Sequence, residues 1–175
     1  MKKGFTLIEL LIVVIIIGVV YSLALTNIKQ ATKPTKAPTL QTLKSYLLSL
    51  SYKKEAKLLC LDECRECDVF LDGKKIKKLH PLFENFIDDS VNTYQYDPIL
   101  GFQKVEPGVY FNNEGVEENV CFSYKIDKTG VGDQIFVEFQ EKVYDFTTYF
   151  TPTQTYDSLA DVSEAKENLY QEVLR

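Results

Sequence analysis

Residues 4–9 read Gly4-Phe5-Thr6-Leu7-Ile8-Glu9, and an apolar run from Leu10 to Leu25 follows them directly. A basic stub, Met1-Lys2-Lys3, precedes the glycine. About twenty apolar residues, at ~1.5 Å of helix rise each, match the roughly 30 Å hydrocarbon core of a bilayer. The sequence therefore predicts a membrane-spanning helix close to the N-terminus.

Glu9 is the only carboxylate in this run. An unpaired carboxylate is costly to bury in lipid, so an acidic residue inside a membrane segment indicates a function with a partner. The alternative is a plain signal anchor in which Glu9 lies near the interface and its side chain reaches water. Physical chemistry alone leaves both interpretations open.

The order Gly4-Phe5-Thr6-Leu7-Ile8-Glu9-Leu10-Leu11 closely resembles the class III signal of type IV pilins and of the pseudopilins of type II secretion. The resemblance implies that a membrane prepilin peptidase cuts after Gly4 and that the new first residue, Phe5, is N-methylated. It also implies that Glu9 is required for filament assembly. The resemblance covers the first thirty or so residues of the chain.

An ordinary secretory signal is discarded together with its apolar stretch. Here the implied cut precedes that stretch, so the helix stays in the mature chain, and the lysines of the leader mark its cytoplasmic end. We expect a single-pass protein of the bacterial inner membrane with its C-terminal domain in the periplasm or at a filament tip. The predicted parts are a leader at 1–4, a transmembrane and assembly helix at 5–33, a proline hinge at 34–38 and a globular head at 39–175.

The composition fits one exported domain. The net charge is −5, and loss of Lys2 and Lys3 would leave 18 of the 20 basic side chains against 25 acidic ones, a net charge of −7. This balance disfavours general binding to nucleic acid. Eleven Tyr and eleven Phe residues indicate a β-rich head.

A second helix is predicted from Thr39 to Leu59, because leucines recur on one helical face at positions 40, 43, 47, 50 and 58. The lysines between them are expected on a solvated face: Lys44, Lys53, Lys54 and Lys57.

Four cysteines, Cys60, Cys64, Cys67 and Cys121, are expected to form two disulfides in an exported chain. Four cysteines allow three pairings, and at most one bridge is local if Cys121 is paired. A bridge to Cys121 would contribute roughly 4 kcal/mol through chain entropy. The C-x3-C-x2-C spacing of iron–sulfur enzymes does not suit an exported domain, and the spacing is irregular for structural zinc, so no metal and no cofactor is expected.

From Asp68 onward the pattern changes to strands. Asp72-Gly73 predicts a hairpin with a type I′ turn, and the lysines at 74, 75, 77 and 78 are typical of a protected edge strand, with a DNA-contacting patch as the alternative. A short helix is predicted near Leu82–Ile87. Further strands are expected at 93–96, 108–111, 120–126, 135–139 and 143–150, ending at Thr151-Pro152. Two of them show the alternation of a half-buried strand: residues 120, 122, 124 and 126 lie opposite 121, 123 and 125, and residues 135, 137 and 139 lie opposite 136 and 138.

Three remaining features complete the chain. The loop 127–133 has too few oxygen ligands for an EF-hand calcium site. His80 is expected on the surface, and no catalytic constellation accompanies it, so no enzyme is predicted. Asp157 or Ser158 is expected to cap a last helix reaching Leu174, with an apolar stripe at 159, 162, 169 and 173 and with Glu164, Lys166, Glu167 and Gln171 outside.

The sequence thus predicts an α+β protein with an N-terminal transmembrane helix, a second amphipathic helix packed on an antiparallel sheet in a pilin-like arrangement, and a C-terminal helix. The head loosely resembles the H-type minor pseudopilins, which implies a structural subunit of a secretion pseudopilus or a type IV pilus. Its expected partners are the prepilin peptidase, other pilin or pseudopilin subunits and the inner membrane, with DNA disfavoured. The alternatives are a minor pilin for DNA uptake or twitching and a membrane-tethered binding or metal protein.

Overall fold

The computed structural model describes residues 7–8, 10–17, 37–112, 114–149 and 152–173. The chain divides into two units, Met1–Thr35 and Lys36–Arg175. In the first unit the described residues are helical, and their apolar side chains are 47% to 81% exposed. Among the described residues, no helix is both long and apolar enough to cross a membrane. Most of the predicted helix at 5–33 lies outside the described residues, as do positions 34–36 of the predicted hinge; residues 37 and 38 are not helical.

The head begins with helix α1, Leu40–Ser49, which buries Leu40, Leu43 and Leu47 in the core. The prediction of a helix to Leu59 is wrong, because Leu50 is already extended and strand β1 begins at Glu55. The backbone N–H groups of Lys53 and Lys54 donate to the Asp72 carboxylate at 2.9 and 2.7 Å, so they cannot continue the helical ladder. Leu58 is therefore a buried strand residue.

The first sheet has five antiparallel strands in the order β3-β2-β1-β7-β6. Strands β1 and β7 form its centre and hold the residues that face α1. The bounds of the strands are β1 Glu55–Leu61, β2 Glu66–Leu71, β3 Lys74–Lys75, β6 Val109–Phe111 and β7 Glu117–Asp127.

The predicted β2–β3 hairpin is confirmed. Asp72 and Gly73 have φ angles of 52° and 79°, as a type I′ turn requires. The short strand β3 forms one edge of the sheet, as predicted. The chain then enters a 3₁₀ helix, Lys77–Leu82, which lies before the helix predicted at Leu82–Ile87. That prediction is wrong, because backbone bonds such as Phe86 N–H to the Phe83 carbonyl at 3.2 Å form isolated turns there.

A second sheet, which the sequence did not predict as separate, has the strand order β10-β9-β8-β4-β5. Two of its strands, β5 and β10, were also not predicted. The prediction that the sheet ends at Thr151-Pro152 is wrong, because Gln154 to Tyr156 pair with β9 beyond that point. The bounds are β4 Asn92–Asp97, β5 Gly101–Lys104, β8 Phe136–Phe139, β9 Lys142–Asp145 and β10 Gln154–Tyr156.

Helix α2, Leu159–Val173, covers one face of this second sheet. The Ser158 hydroxyl accepts from the Asp161 N–H at 3.3 Å, which confirms Ser158 as a cap. Val162 is fully buried beside Phe136 and Val143, whereas Leu169 is 56% exposed. Of the described residues in the predicted apolar stripe, Leu159 and Val162 pack and Leu169 does not, so the first turns of the helix fold back onto the head.

The main core lies between α1 and the sheets. Alternation along β7 buries Phe122, Tyr124 and Ile126, as predicted. Gly132 packs so closely on Tyr124 that a Cβ at position 132 would collide with the Tyr124 hydroxyl. This close approach explains why residue 132 is a glycine.

Candidate assembly site and charged clusters of the head

The predicted assembly residues Gly4, Phe5 and Glu9 lie outside the described residues. Around Glu9, residues 7, 8 and 10–17 are helical and present only apolar side chains. A helix that is apolar all round is stable when lipid or other helices cover it. The side chains of this segment are therefore suited to contact with lipid or with other helices.

All four cysteines are joined in two bridges. Cys60 and Cys67 face each other across β1 and β2 with a Cα–Cα distance of 4.0 Å. Cys64, in the turn between these strands, is joined to Cys121 on β7 with a Cα–Cα distance of 5.3 Å. One bridge is thus local and the other long, and sulfur atoms engaged in disulfides provide no thiolate for zinc.

The turn that carries Cys64 has an unusual backbone. Asp62, Glu63 and Cys64 have φ angles of 49°, 55° and 65°, in the left-handed region that non-glycine residues rarely adopt. Such residues persist only where their surroundings hold them. The Cys64–Cys121 bridge ties this turn to β7 and supplies that restraint.

A buried carboxylate organises the lysine-rich edge. Asp68 is 2% exposed and receives the Lys75 ammonium at 2.5 Å and His80 Nδ1 at 3.0 Å. His80 lies at the surface, as expected, with 38% of its side chain exposed, but its ring also bonds this buried carboxylate, which the sequence did not predict. Lys75 is likewise committed to an internal ion pair, so it is less available to DNA than the sequence alone suggests.

A second buried carboxylate, Asp145, is 1% exposed and was not recognised from the sequence. It accepts from the Thr147 N–H at 2.7 Å, from the Thr147 hydroxyl at 2.6 Å and from Lys166 Nζ at 3.2 Å. Lys166 also lies over the Phe136 ring, 5.4 Å from its centroid. The prediction that Lys166 points outside is therefore wrong, because this acidic site draws it inward.

Lys44 is the largest departure from the expected solvated face. It is 5% exposed, and burial lowers the pKa of its ammonium, an effect that the charge of Asp145 partly offsets. The spacing could have shown this, because Lys44 lies four residues after Leu40 and three before Leu47 on the buried face.

The carboxylates of the acidic loop between β7 and β8 accept hydrogen bonds from nearby backbone N–H groups. The Asp127 carboxylate accepts from the Thr129 and Val131 N–H groups at 2.8 and 3.0 Å, and the Thr129 hydroxyl chiefly lowers its pKa. Asp133 accepts from the Lys125 N–H at 2.8 Å. These carboxylates stabilise turns, and the described residues contain no cluster of three or more side chains that could hold a metal.

An apolar N-terminal helical segment and a disulfide-bonded α+β head are compatible with a pilin-like subunit. Residues 1–25 match the family model of the prokaryotic N-terminal methylation motif, which indicates the type IV pilin and pseudopilin superfamily. The match contains Gly4, Phe5 and Glu9 and ends before the head. No curated protein and no solved structure matched the chain.

Proposed function

We propose that this chain is a structural, low-copy pseudopilin or pilin, cut by a prepilin peptidase after Gly4 and N-methylated on Phe5. The observation that carries the proposal is the methylation motif over residues 1–25. The superfamily that this motif indicates is structural rather than enzymatic.

Glu9 supplies the chemistry of assembly in this proposal. Cleavage gives Phe5 a new positive amine at the end of an apolar helix. An axial stagger between neighbouring helices brings that amine to the Glu9 carboxylate of the next subunit, and the pair offsets the cost of burying either charge alone. Because one unpaired buried partner costs several kcal/mol, the carboxylate favours the correctly staggered neighbour over free diffusion in the bilayer.

The head offers surfaces that suit a packed subunit. Ile99 and Leu100 are 91% and 70% exposed at the β4–β5 turn, where the Asp97 carboxylate fixes both of their N–H groups at 2.7 and 2.9 Å. Val109 and Phe111 are exposed on the edge strand β6. Ordered apolar side chains at a turn tip and at a sheet edge support contact with neighbouring subunits.

The acidic balance of the chain favours a secretion pseudopilus over a machine that imports DNA. Processing would leave a net charge of −7, and Lys75 is held by Asp68. Deletion of the gene, with exoprotein secretion and DNA uptake assayed side by side, separates these roles. Loss of secretion with normal DNA uptake is the expected result, and the reverse assigns the chain to the DNA-uptake machine.

Intact mass of the membrane-extracted mature protein tests the processing step. The expected mass lacks residues 1–4, gains one methyl group and lacks four hydrogens for the two disulfides. Gly4→Val should accumulate as a full-length precursor, because the branched side chain replaces the small residue that the peptidase reads. Gly4→Ala is the matched control and should still be cut. Normal processing of Gly4→Val would contradict the assignment.

A further inference from the structure

One face of α1 opens onto a cleft of about 280 Å³ in the head. We call it the α1 cleft. Four residues of its wall recur at helical spacing along α1, and three come from the segment between β9 and β10. They are Gln41, Lys44, Ser45 and Leu48 from the helix, and Tyr149, Pro152 and Thr153 from the segment.

Two polar groups in this wall are buried without a partner. Lys44 is 5% exposed and Thr153 is 3% exposed. Within the described part of the chain, neither the Lys44 ammonium nor the Thr153 hydroxyl has a hydrogen-bond partner. A buried polar group without a partner destabilises the fold, and a charged one does so more strongly. Two such groups in one cleft are therefore a sign of a ligand that satisfies both.

Asp145 does not fill this role. Its charge attracts Lys44 across the interior, but its carboxylate is already bonded to Thr147 and Lys166. No ion pair joins it to Lys44 among the described residues. The ammonium thus remains a hydrogen-bond donor with no acceptor.

We propose that the α1 cleft binds a carboxylate carried on an apolar group. The Lys44 ammonium supplies the countercharge and the Thr153 hydroxyl a second hydrogen bond to the carboxylate. Leu48 and Tyr149, which are 39% and 49% exposed, supply apolar contact for the attached group. The site depends on the head alone and is independent of the proposed filament role.

The size and the flexibility of the site fit such a ligand. A volume of about 280 Å³ is far larger than one water molecule needs, so the cleft has room for a small organic group. The Lys44 ammonium is buried in this structure, and its flexible four-carbon side chain lets it turn toward an anion in the cleft. A carboxylate bound in the cleft would pair with the Lys44 ammonium and so stabilise its charged form, which burial alone disfavours.

The experiment is a titration of the full-length chain in dodecyl maltoside micelles, with ¹³C at the lysine ε carbons and the Lys44 signal as readout. Benzoate is the probe, and benzamide is the neutral control of the same shape. Benzoate should shift the Lys44 signal saturably and should bind at least tenfold more tightly than benzamide. It should also raise the pH at which Lys44 titrates, since the carboxylate stabilises the ammonium.

Three variants define the site. Benzoate binding to the variants is followed on the ligand by saturation-transfer difference NMR, because Lys44→Met has no Lys44 signal. Lys44→Met should abolish saturable benzoate binding, and Thr153→Val should weaken it several-fold. Lys53→Met removes an exposed lysine beyond the end of α1 and should bind as the unaltered protein does. The Lys44 signal of the unaltered protein gives an answer even where a variant does not fold.

A peptide pair distinguishes the source of the carboxylate. Acetyl-Leu-Glu-Leu-amide binding more tightly than benzoate, with acetyl-Leu-Gln-Leu-amide inert, identifies an acidic side chain of another protein chain. Benzoate binding more tightly than the peptide identifies a free small carboxylate, and both outcomes support the site. Absence of a saturable Lys44 shift with either probe, equal binding of benzoate and benzamide, or full binding by Lys44→Met would overturn it.

Discussion

Removal of the Cys64–Cys121 bridge should destabilise the head more than removal of Cys60–Cys67. The two cysteines of the long bridge are 57 residues apart and those of the short bridge 7 residues apart. In the chain-entropy description, a bridge stabilises by restricting the unfolded chain, and the restriction grows with the length of the closed loop. Loops of these lengths give about 4 kcal/mol for the long bridge and about 2.5 kcal/mol for the short one.

The comparison uses two double variants, Cys64→Ala with Cys121→Ala and Cys60→Ala with Cys67→Ala. Each removes two sulfur atoms, and three of the four cysteines are buried, so loop length is the main difference between the two variants. Urea unfolding of the detergent-solubilised chain, followed by tyrosine fluorescence and far-UV circular dichroism, gives the free energy of unfolding. Tyrosine is the natural probe, since the chain has eleven Tyr and no Trp.

The long-bridge variant should lose about 1.5 kcal/mol more than the short-bridge variant, as the difference between the two entropy values requires. Its unfolded state is also more expanded, so the urea dependence of its unfolding should be steeper. Equal losses, or a larger loss for the Cys60–Cys67 variant, would refute the chain-entropy reasoning and would place the stabilisation in native packing.

Three further perturbations have distinct readouts. Gly132→Ala forces a Cβ against the Tyr124 hydroxyl and should cost about 1–3 kcal/mol in urea unfolding, with Gly108→Ala, which has open space around it, as the control. Hydrogen bonds from backbone N–H groups, that of Lys53 foremost, lower the pKa of the Asp72 carboxyl below 3.8, so the stability it contributes is present at neutral pH and is lost as the pH falls through the lowered pKa. Asp72→Asn should be less stable at pH 7 and should flatten the fall in the free energy of unfolding at acid pH. An unchanged fall would contradict this. Glu9→Ala should be exported and cut but should no longer co-purify with partner pilins, while Glu9→Asp should be partly active; wild-type assembly of Glu9→Ala would argue for a tethered binding protein.

The sequence predicted most where a local signal was strong. Asp72-Gly73 gave the turn, because only residues tolerant of positive φ suit both positions. The alternation of apolar residues with the residues between them predicted β7, and Ser158 predicted the start of α2. The methylation motif at residues 1–25 was readable without any structure, because its chemistry lies in a contiguous run.

The errors arose where distant contacts override local pattern. Leucine spacing alone extended α1 past Ser49, but Asp72, far along the chain, captures the amides that a longer helix would need. The alternation along 135–139 placed Phe136 opposite the apolar side of β8, yet α2 covers Phe136 and buries it. Lys44 was placed in solvent because lysine usually lies there, and only the packing of α1 shows its burial.

The Cys64–Cys121 bridge also has a mechanical consequence. When the two ends of the head are pulled apart, tension entering along β1 passes through the sulfur atoms to β7 and bypasses the chain between them. The strands β2 to β6 lie inside that covalent ring and cannot be drawn out. At about 3.5 Å per residue, the 57-residue separation withholds roughly 200 Å of extension. A subunit of this design would yield only by unravelling outside the ring, from its N-terminal helix or from the chain that follows β7.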